Sequence, residues 1–290
     1  MFLQQLINGI TLGSTYALIA LGYTMVYGII QLINFAHGEV YMVGAFTGLI
    51  FVNMFGANIA LAILGAMICC MLLGVLIERI AYRPLQGSSR LSALISAIGV
   101  SIFLSTLVVL IRGPQTTSYP QMFKIVLYQV GPAKISNLQI LIMIISAILM
   151  IALHLIVQKT KVGKAMRACA QDQDAARLMG ISVEKIISLT FALGSALAAA
   201  GGVLVGIYFN AVFPTMGMMA GMKAFSAAVL GGIGSIPGAV LGGLFLGIAE
   251  VFGVAYLSSS YRDAIAFSIL ILVLLIKPTG LLGKPIQKKV

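Results

Sequence analysis

Apolar runs close to or longer than the twenty residues that cross a bilayer recur along almost the whole chain, and no other feature limits its fold so tightly. A soluble fold would show alternating or striped patterns in place of such runs. With 60% hydrophobic and only 9% charged residues in 290, the chain also lacks the polar surface that would coat a soluble globule of its size. The expected fold is all-α: a polytopic inner-membrane helical bundle, forming a single transmembrane domain over residues 1–290.

The runs divide into candidate spans at 6–30, 38–55, 59–78, 91–111, 138–157, 187–208, 216–231, 237–254 and 262–277. That makes about nine helices, within a range of eight to ten, with 216–231 short for a crossing. Basic residues set the orientation. Arg79, Arg83 and Arg90 follow the third span, a charged loop follows the fifth, and Lys277, Lys284, Lys288 and Lys289 close the chain. All three belong in the cytoplasm by the positive-inside rule, which puts the N-terminus in the periplasm and the C-terminus in the cytoplasm. The loop from Arg112 to Asn137 must then face outward although it carries Arg112, Lys124 and Lys134; Arg112 can snorkel to the interface. An eight-span alternative treats 216–254 as one broken segment and would place the tail outside. The first apolar stretch lacks a basic leader and runs on from Leu6 to Ile30, so it reads as a retained helix and not a cleaved signal.

The net charge of +11 is spread over short loops and the tail without aromatic interleaving, which fits membrane lipid and orientation and argues against nucleic acid. Cys69 and Cys70 lie in an apolar run and Cys169 in the charged loop, so free thiols are expected.

That charged loop, Gln158 to Lys185, holds six of the eighteen basic and three of the seven acidic residues. Residues 158–186 therefore read as one cytoplasmic loop that meets a soluble partner. Lys161–Met179 has an amphipathic helical pattern opening on a basic cluster, with Met166, Leu178 and Met179 among its apolar positions. In Asp174-Ala175-Ala176-Arg177-Leu178-Met179-Gly180, small residues on a helix followed by a glycine predict a short helix, a bend and a second helix. Such an element fits a cleft on a partner; the competing reading is an interfacial helix lying on anionic headgroups.

Asn34-Phe35-Ala36-His37-Gly38-Glu39 interrupts two apolar runs. One reading is a cytoplasmic turn, with Glu39 favoured at a helix start by the dipole. The other makes Asn34, His37 and Glu39 part of the wall or gate of a polar conduit, since a charge at membrane depth costs about 2.5–3.5 kcal/mol on insertion scales and needs a partner or a cavity. Glycines four apart, Gly202/Gly206, Gly238/Gly242 and Gly243/Gly247, predict close helix packing. Leu230–Gly238 reads as a cytoplasmic reversal between helices. The chain has no G-x-x-x-x-G-K-[ST], H-E-x-x-H or G-x-S-x-G pattern, and His37 and His154 lie far apart. Neither ATP binding nor a catalytic, cofactor or metal site is expected in this chain.

Asp174–Gly180 resembles the E-A-A-x-x-x-G coupling motif of permease subunits in ABC importers, with Asp for Glu. The stretches Asn8–Leu18, Ile33–Glu39, Gly221–Phe225 running into Leu230–Gly238, and Lys277–Gly283 extend the likeness, and over essentially its whole length the chain resembles the LivH-type permeases of high-affinity branched-chain amino-acid importers. The resemblance implies a second, LivM-like permease subunit, two cytoplasmic ATPase subunits that bind the ATP and Mg, and a periplasmic amino-acid-binding protein that delivers leucine, isoleucine or valine. It implies that Asp174, Ala175, Ala176 and Gly180 form the ATPase-coupling helix and its bend. A urea or short-amide permease of the same family is the nearest alternative. A secondary transporter working without ATPases would be expected to carry more ionisable residues at the midplane than Glu39 and Glu250.

Overall fold

A computed structural model describes residues 1–283 except 57 and 121–123, so the tail residues Lys284, Lys288 and Lys289 lie outside the described residues. The helices fall where the apolar runs are, with two more in the charged loop: α1 (Phe2–Ile30), α2 (His37–Phe55), α3 (Ile59–Ile77), α4 (Arg90–Arg112), α5 (Asn137–Lys159), the loop helices α6 (Lys161–Gln171) and α7 (Gln173–Leu178), α8 (Val183–Phe209), α9 (Met216–Gly231), α10 (Ile236–Tyr256) and α11 (Arg262–Ile276). Among the described residues eight are long and apolar enough to cross a membrane, and α9 is a shorter apolar helix. Its 16 residues rise only about 24 Å, against a hydrocarbon core of about 30 Å. The chain is thus a multi-pass membrane protein.

Local chemistry sets the boundaries. Asn58 accepts from the Ala60 and Leu61 amides to start α3, Ser136 and Gln139 form a capping box on α5, and Ser235 caps α10 with Pro237 in its first turn. Asn210 ends α8 in the left-handed region at φ 50°, a conformation asparagine tolerates. The loop between α4 and α5 contains structure the sequence reading lacked: strands β1 (Leu127–Val130) and β2 (Ala133–Ser136) form an antiparallel hairpin.

The bundle has two distinct ends. At the hairpin end lie β1–β2, the N-terminus and the turn after α8, where Thr117 pairs with Val212 and the Lys134 amide donates to Gln4. At the opposite end, the loop end, α1 finishes beside the start of α10, with Gly28 close to Gly234, and Gln173 of α7 donates to the Ile29 carbonyl.

Helices α1 and α8 run through the centre and are buried almost all round, whereas α3, α4, α5 and α11 turn apolar side chains such as Leu72, Ile102, Ile148 and Leu275 outward, as a bilayer-facing surface requires. The glycines seat the central helices against one another. A Cβ on Gly13 would lie 2.7 Å from the Leu244 Cα, and one on Gly9 2.7 Å from the Ile248 Cα, so α1 and α10 touch backbone to backbone and run antiparallel. Gly243 and Gly247 face Ala17 and Gly13 from the other side, Gly242 backs onto Ala227 and Gly231 of α9, and Gly202 onto Tyr41 of α2. In lipid, where apolar burial does not drive helices together, this close approach supplies the dispersion contact.

Candidate functional site

Besides the Glu78–Arg83–Ser188 cluster, which ties the segment after α3 to α8, three places carry the polar chemistry. The first is the α6–α7 element at the loop end. Thr160 caps α6 by accepting from the Gly163 amide, and Met166 and Cys169 turn inward while Lys161 and Lys164 face out. Burial pushes the Cys169 thiol above its ordinary pKa, so it serves there as a neutral packing group. The single helix expected over Lys161–Met179 is two. The chain is extended at Asp172 (φ −158°), and its carboxylate accepts from the amides of Asp174 at 3.0 Å and Ala175 at 3.1 Å, which starts a new helix. Gly180 ends that helix at φ +80°, with the Ile181 amide returning to the Ala176 carbonyl at 3.0 Å, the glycine-dependent stop of a Schellman turn. Ala176 is buried, Asp174 and Ala175 are exposed, and Leu178 and Met179 are 89% and 81% exposed. Of the three apolar residues the pattern picked out, only Met166 packs inward.

The second place is Asn34–Glu39, and it lies inside the bundle. The His37 ring packs on Gly22, eight residues before α1 ends and so about 12 Å back along that helix. After Ile30 the chain therefore folds back between helices, and α2 begins in the interior. Asn34, His37 and Glu39 are all buried, but their side chains do not converge. Asn34 Oδ1 accepts from the Ala36 amide at 3.1 Å and from Tyr82 Oη at 3.0 Å, fixing the turn. His37 meets Tyr23 edge to face at 4.8 Å. Glu39 accepts from Ser101 of α4 at 3.3 Å through one oxygen, and its other oxygen approaches the first turn of α9 at Gly217. Gly38 and Gly217 meet backbone to backbone, so the N-termini of α2 and α9 adjoin around Glu39. Two sets of first-turn amides there favour a negative charge.

The third place lies nearer the hairpin end. Glu250 of α10 is fully buried. One of its oxygens accepts from Lys223 of α9 at 3.1 Å, from Tyr16 of α1 at 3.2 Å, and from Arg262 at the start of α11; the other accepts from Tyr16 at 3.0 Å. Lys223 also pairs with Asp263 at 2.7 Å. Two cations thus face two carboxylates, and every charge has a partner, as burial demands. The Arg262 guanidinium additionally lies 5.9 Å from the centre of the Phe209 ring at the end of α8, within cation–π range. Cavities of about 320 Å³ and 290 Å³ flank the cluster, with Leu12, Phe209 and Arg262 in both walls; Lys223 and Tyr16 face the larger, Glu250 the smaller.

Sequence reasoning picked out Glu250 as a midplane charge but assembled none of this network. The usable signal was a solitary lysine in α9 and a solitary glutamate in α10. Opposite charges in apolar helices need each other, and helices joined by a short reversal are neighbours.

Residues 5–274 match the family profile described as the permease component of the branched-chain amino acid transport system. The chain is 50% identical to the "High-affinity branched-chain amino acid transport system permease protein LivH" of Escherichia coli (strain K12), covering all of this chain and 98% of that one. It is 48% identical to the corresponding protein BraD of Pseudomonas aeruginosa, covering all of this chain and 98% of that relative. Among solved structures, PsaBC from Streptococcus pneumoniae in complex with Fab matches with a TM-score of 0.51 over 96% of this chain and 93% of that one, at 13% identity, which is a likeness of fold.

Proposed function

The chain belongs to the branched-chain amino acid transport permease family, and from that premise we propose that it is the membrane-spanning permease subunit of an ABC importer for leucine, isoleucine and valine. It sits in a bacterial inner membrane with its N-terminus periplasmic and its loop end cytoplasmic, where the basic residues gather. A second LivM-like permease subunit completes the channel, and two ATPase subunits hold the ATP and Mg, so this chain has no catalytic site or cofactor of its own. A periplasmic amino-acid-binding protein delivers the substrate at the hairpin end. The observation that carries this reading is the half-identical match, end to end, to permeases named for branched-chain amino acids.

The geometry supports a mechanism. Residues 158–186 act as the coupling loop within the permease domain. Asp174, Ala175, Ala176 and Gly180 form the coupling helix and its bend, and the exposed Leu178 and Met179 supply the apolar knob that enters an ATPase cleft. Two rigid connections lead inward from it: the Gly180 turn into α8, and the Gln173 bond to the end of α1. Helices α1 and α8, 29 and 27 residues long, reach the hairpin end, where Leu12, Tyr16 and Ile19 of the one and Val205 and Phe209 of the other line the larger cavity. Displacement of α7 by ATPase closure is thereby transmitted, as movement of whole helices, to the cavity walls. Between cavity and loop end, Asn34, His37 and Glu39 form the wall of the translocation route.

Purification of the tagged chain in mild detergent from its own membranes, followed by mass spectrometry of co-purifying chains and by uptake assays in liposomes, tests this. ATPase subunits at fixed ratio and ATP-dependent leucine uptake are expected. Transport by the chain alone without ATP would overturn it.

A further inference from the structure

We propose that the larger hairpin-end cavity is an amino-acid subsite in which Lys223 and Arg262 hold the substrate carboxylate, Asp263 receives its ammonium group, and the apolar wall takes its side chain. The inference rests on the amino-acid reading above and adds residues to it.

Four observations converge. First, the cavity of about 320 Å³ falls in the size class of small-molecule sites, which combine apolar walls with a few placed polar groups. Second, its polar side chains are two cations and the tyrosines Tyr16 and Tyr41, while Ile19, Val205, Met216 and Met219 supply the apolar wall. Methionine, unbranched and polarizable, adapts to side chains of differing shape, which suits a wall that must accept several branched alkyl groups.

Third, the two carboxylates of the cluster are not equivalent. Glu250 is wholly buried and held by Tyr16, Lys223 and Arg262. Asp263 stands just outside the cavity wall, joined at 2.7 Å to Lys223, which lines it, and its side chain is 49% exposed. Removing Glu250 from its partners would strand a charge in the interior, whereas Asp263 can turn to water at little cost. Asp263 is therefore the exchangeable partner. Fourth, the cluster is neutral, with two positive and two negative groups, and a zwitterion is also neutral. The incoming carboxylate takes the place of Asp263 on Lys223 and shares Arg262, and the released Asp263 pairs with the ammonium group, so no net charge enters the site. A planar guanidinium beside an ammonium suits a carboxylate. A neutral amide or an amine without a carboxylate makes no such exchange and leaves the pair closed.

Photo-leucine, a diazirine analogue that cross-links where it is bound, is the probe, applied to the intact importer in proteoliposomes, with the labelled peptide of this chain mapped by mass spectrometry. Labelling within residues 213–220 is expected, suppressed at least tenfold by excess leucine and little affected by equal leucinamide. Arg262→Gln is expected to reduce that labelling at least tenfold and Arg262→Lys to restore part of it, with unfolding temperatures recorded for both so that loss of fold is recognised. ATP-driven leucine uptake with labelling only elsewhere in the chain, or with leucinamide protecting as well as leucine, overturns the subsite and leaves the transport reading standing. Absence of ATP-driven leucine uptake in the unmodified importer overturns the reading, and the subsite with it.

Discussion

Gly180→Arg separates docking from folding at the proposed coupling element. Gly180 sits at φ +80°, and a Cβ there meets nothing within 4 Å. A non-glycine residue in the left-handed region costs about 1–2 kcal/mol, less for asparagine, and open space adds no clash. Strain alone therefore leaves Gly180→Ala and Gly180→Asn folded, with uptake within about twofold of the unmodified importer if docking survives. Arginine adds the same strain plus a long cation beside the exposed Leu178 and Met179, the apolar knob of the proposed coupling helix. Each tenfold loss in that association corresponds to about 1.4 kcal/mol, and excluding a docked turn exceeds this. The expected result is Gly180→Arg present in the membrane at normal level, with an unfolding temperature close to that of Gly180→Ala, but with leucine uptake in liposomes down at least about tenfold. Normal uptake by the arginine variant would refute the coupling assignment. Equal loss in Ala, Asn and Arg variants would attribute the effect to backbone strain instead.

The buried charge network is expected to be coupled. Lys223→Met leaves Glu250 short of a cation and should destabilise by about 3–5 kcal/mol, while adding Glu250→Gln should recover part of that loss; detergent unfolding temperatures of both variants and the double variant measure it, and strictly additive losses would contradict the network. Gly247→Val would drive side-chain atoms onto the Gly13 backbone and should cost about 1–3 kcal/mol or more, read as reduced membrane-inserted protein; an unchanged level would mean that α1 and α10 can separate without cost. With Cys69 and Cys70 replaced by alanine, Cys169 should react slowly with maleimide near pH 7 and faster as pH rises past the ordinary thiol range. Its pKa is raised by burial, and only the thiolate reacts. Fast reaction at neutral pH would show that α6 stands away from the bundle.

The helices were legible because continuous apolar runs leave the backbone one solution in lipid. Expected starts at 59 and 216 and ends at 30, 55 and 231 coincide with those observed for α1, α2, α3 and α9. Legibility failed where a single side chain decides. Nothing in the amphipathic pattern of 161–179 shows that the Asp172 carboxylate will cap a new helix, because the period continues across the break. The hairpin at 127–136 was missed because its four-residue strands are too short to carry a pattern. The Glu250 network was missed because its members come from α1, α9, α10 and α11, and a pairing across 234 residues, as between Tyr16 and Glu250, leaves no local trace. The Asn34–Glu39 segment shows the limit most clearly: polar residues between two apolar runs fit a surface turn and an interior fold-back equally well, and the packing of His37 on Gly22 decides between them.

That fold-back raises a question of balance at Glu39. A carboxylate at depth costs about 2.5–3.5 kcal/mol on insertion scales, yet among the described residues it has no cation beside it, only Ser101 at 3.3 Å and the first turns of two helices. A helix N-terminus in a partly buried setting returns up to about 2 kcal/mol, and a hydrogen bond about 0.5–1.5 kcal/mol. Two helix ends and one hydroxyl offset that cost only while both α2 and α9 start where they do, and the second Glu39 oxygen has no hydrogen-bond partner among the described residues. Glu39→Gln keeps the shape and removes both the burial cost of the charge and its stabilisation by the two helix ends, so the two largely offset and the unfolding temperature should change by an amount matching no more than about 1–2 kcal/mol. A residue that only joins α2 to α9 would stop there, with uptake per inserted molecule unchanged. A residue in the wall of the route should lose uptake well beyond that, at least about tenfold, the equivalent of 1.4 kcal/mol in a transition state. Uptake that follows stability alone would remove Glu39 from the translocation route and leave it as the joint between two interrupted helices.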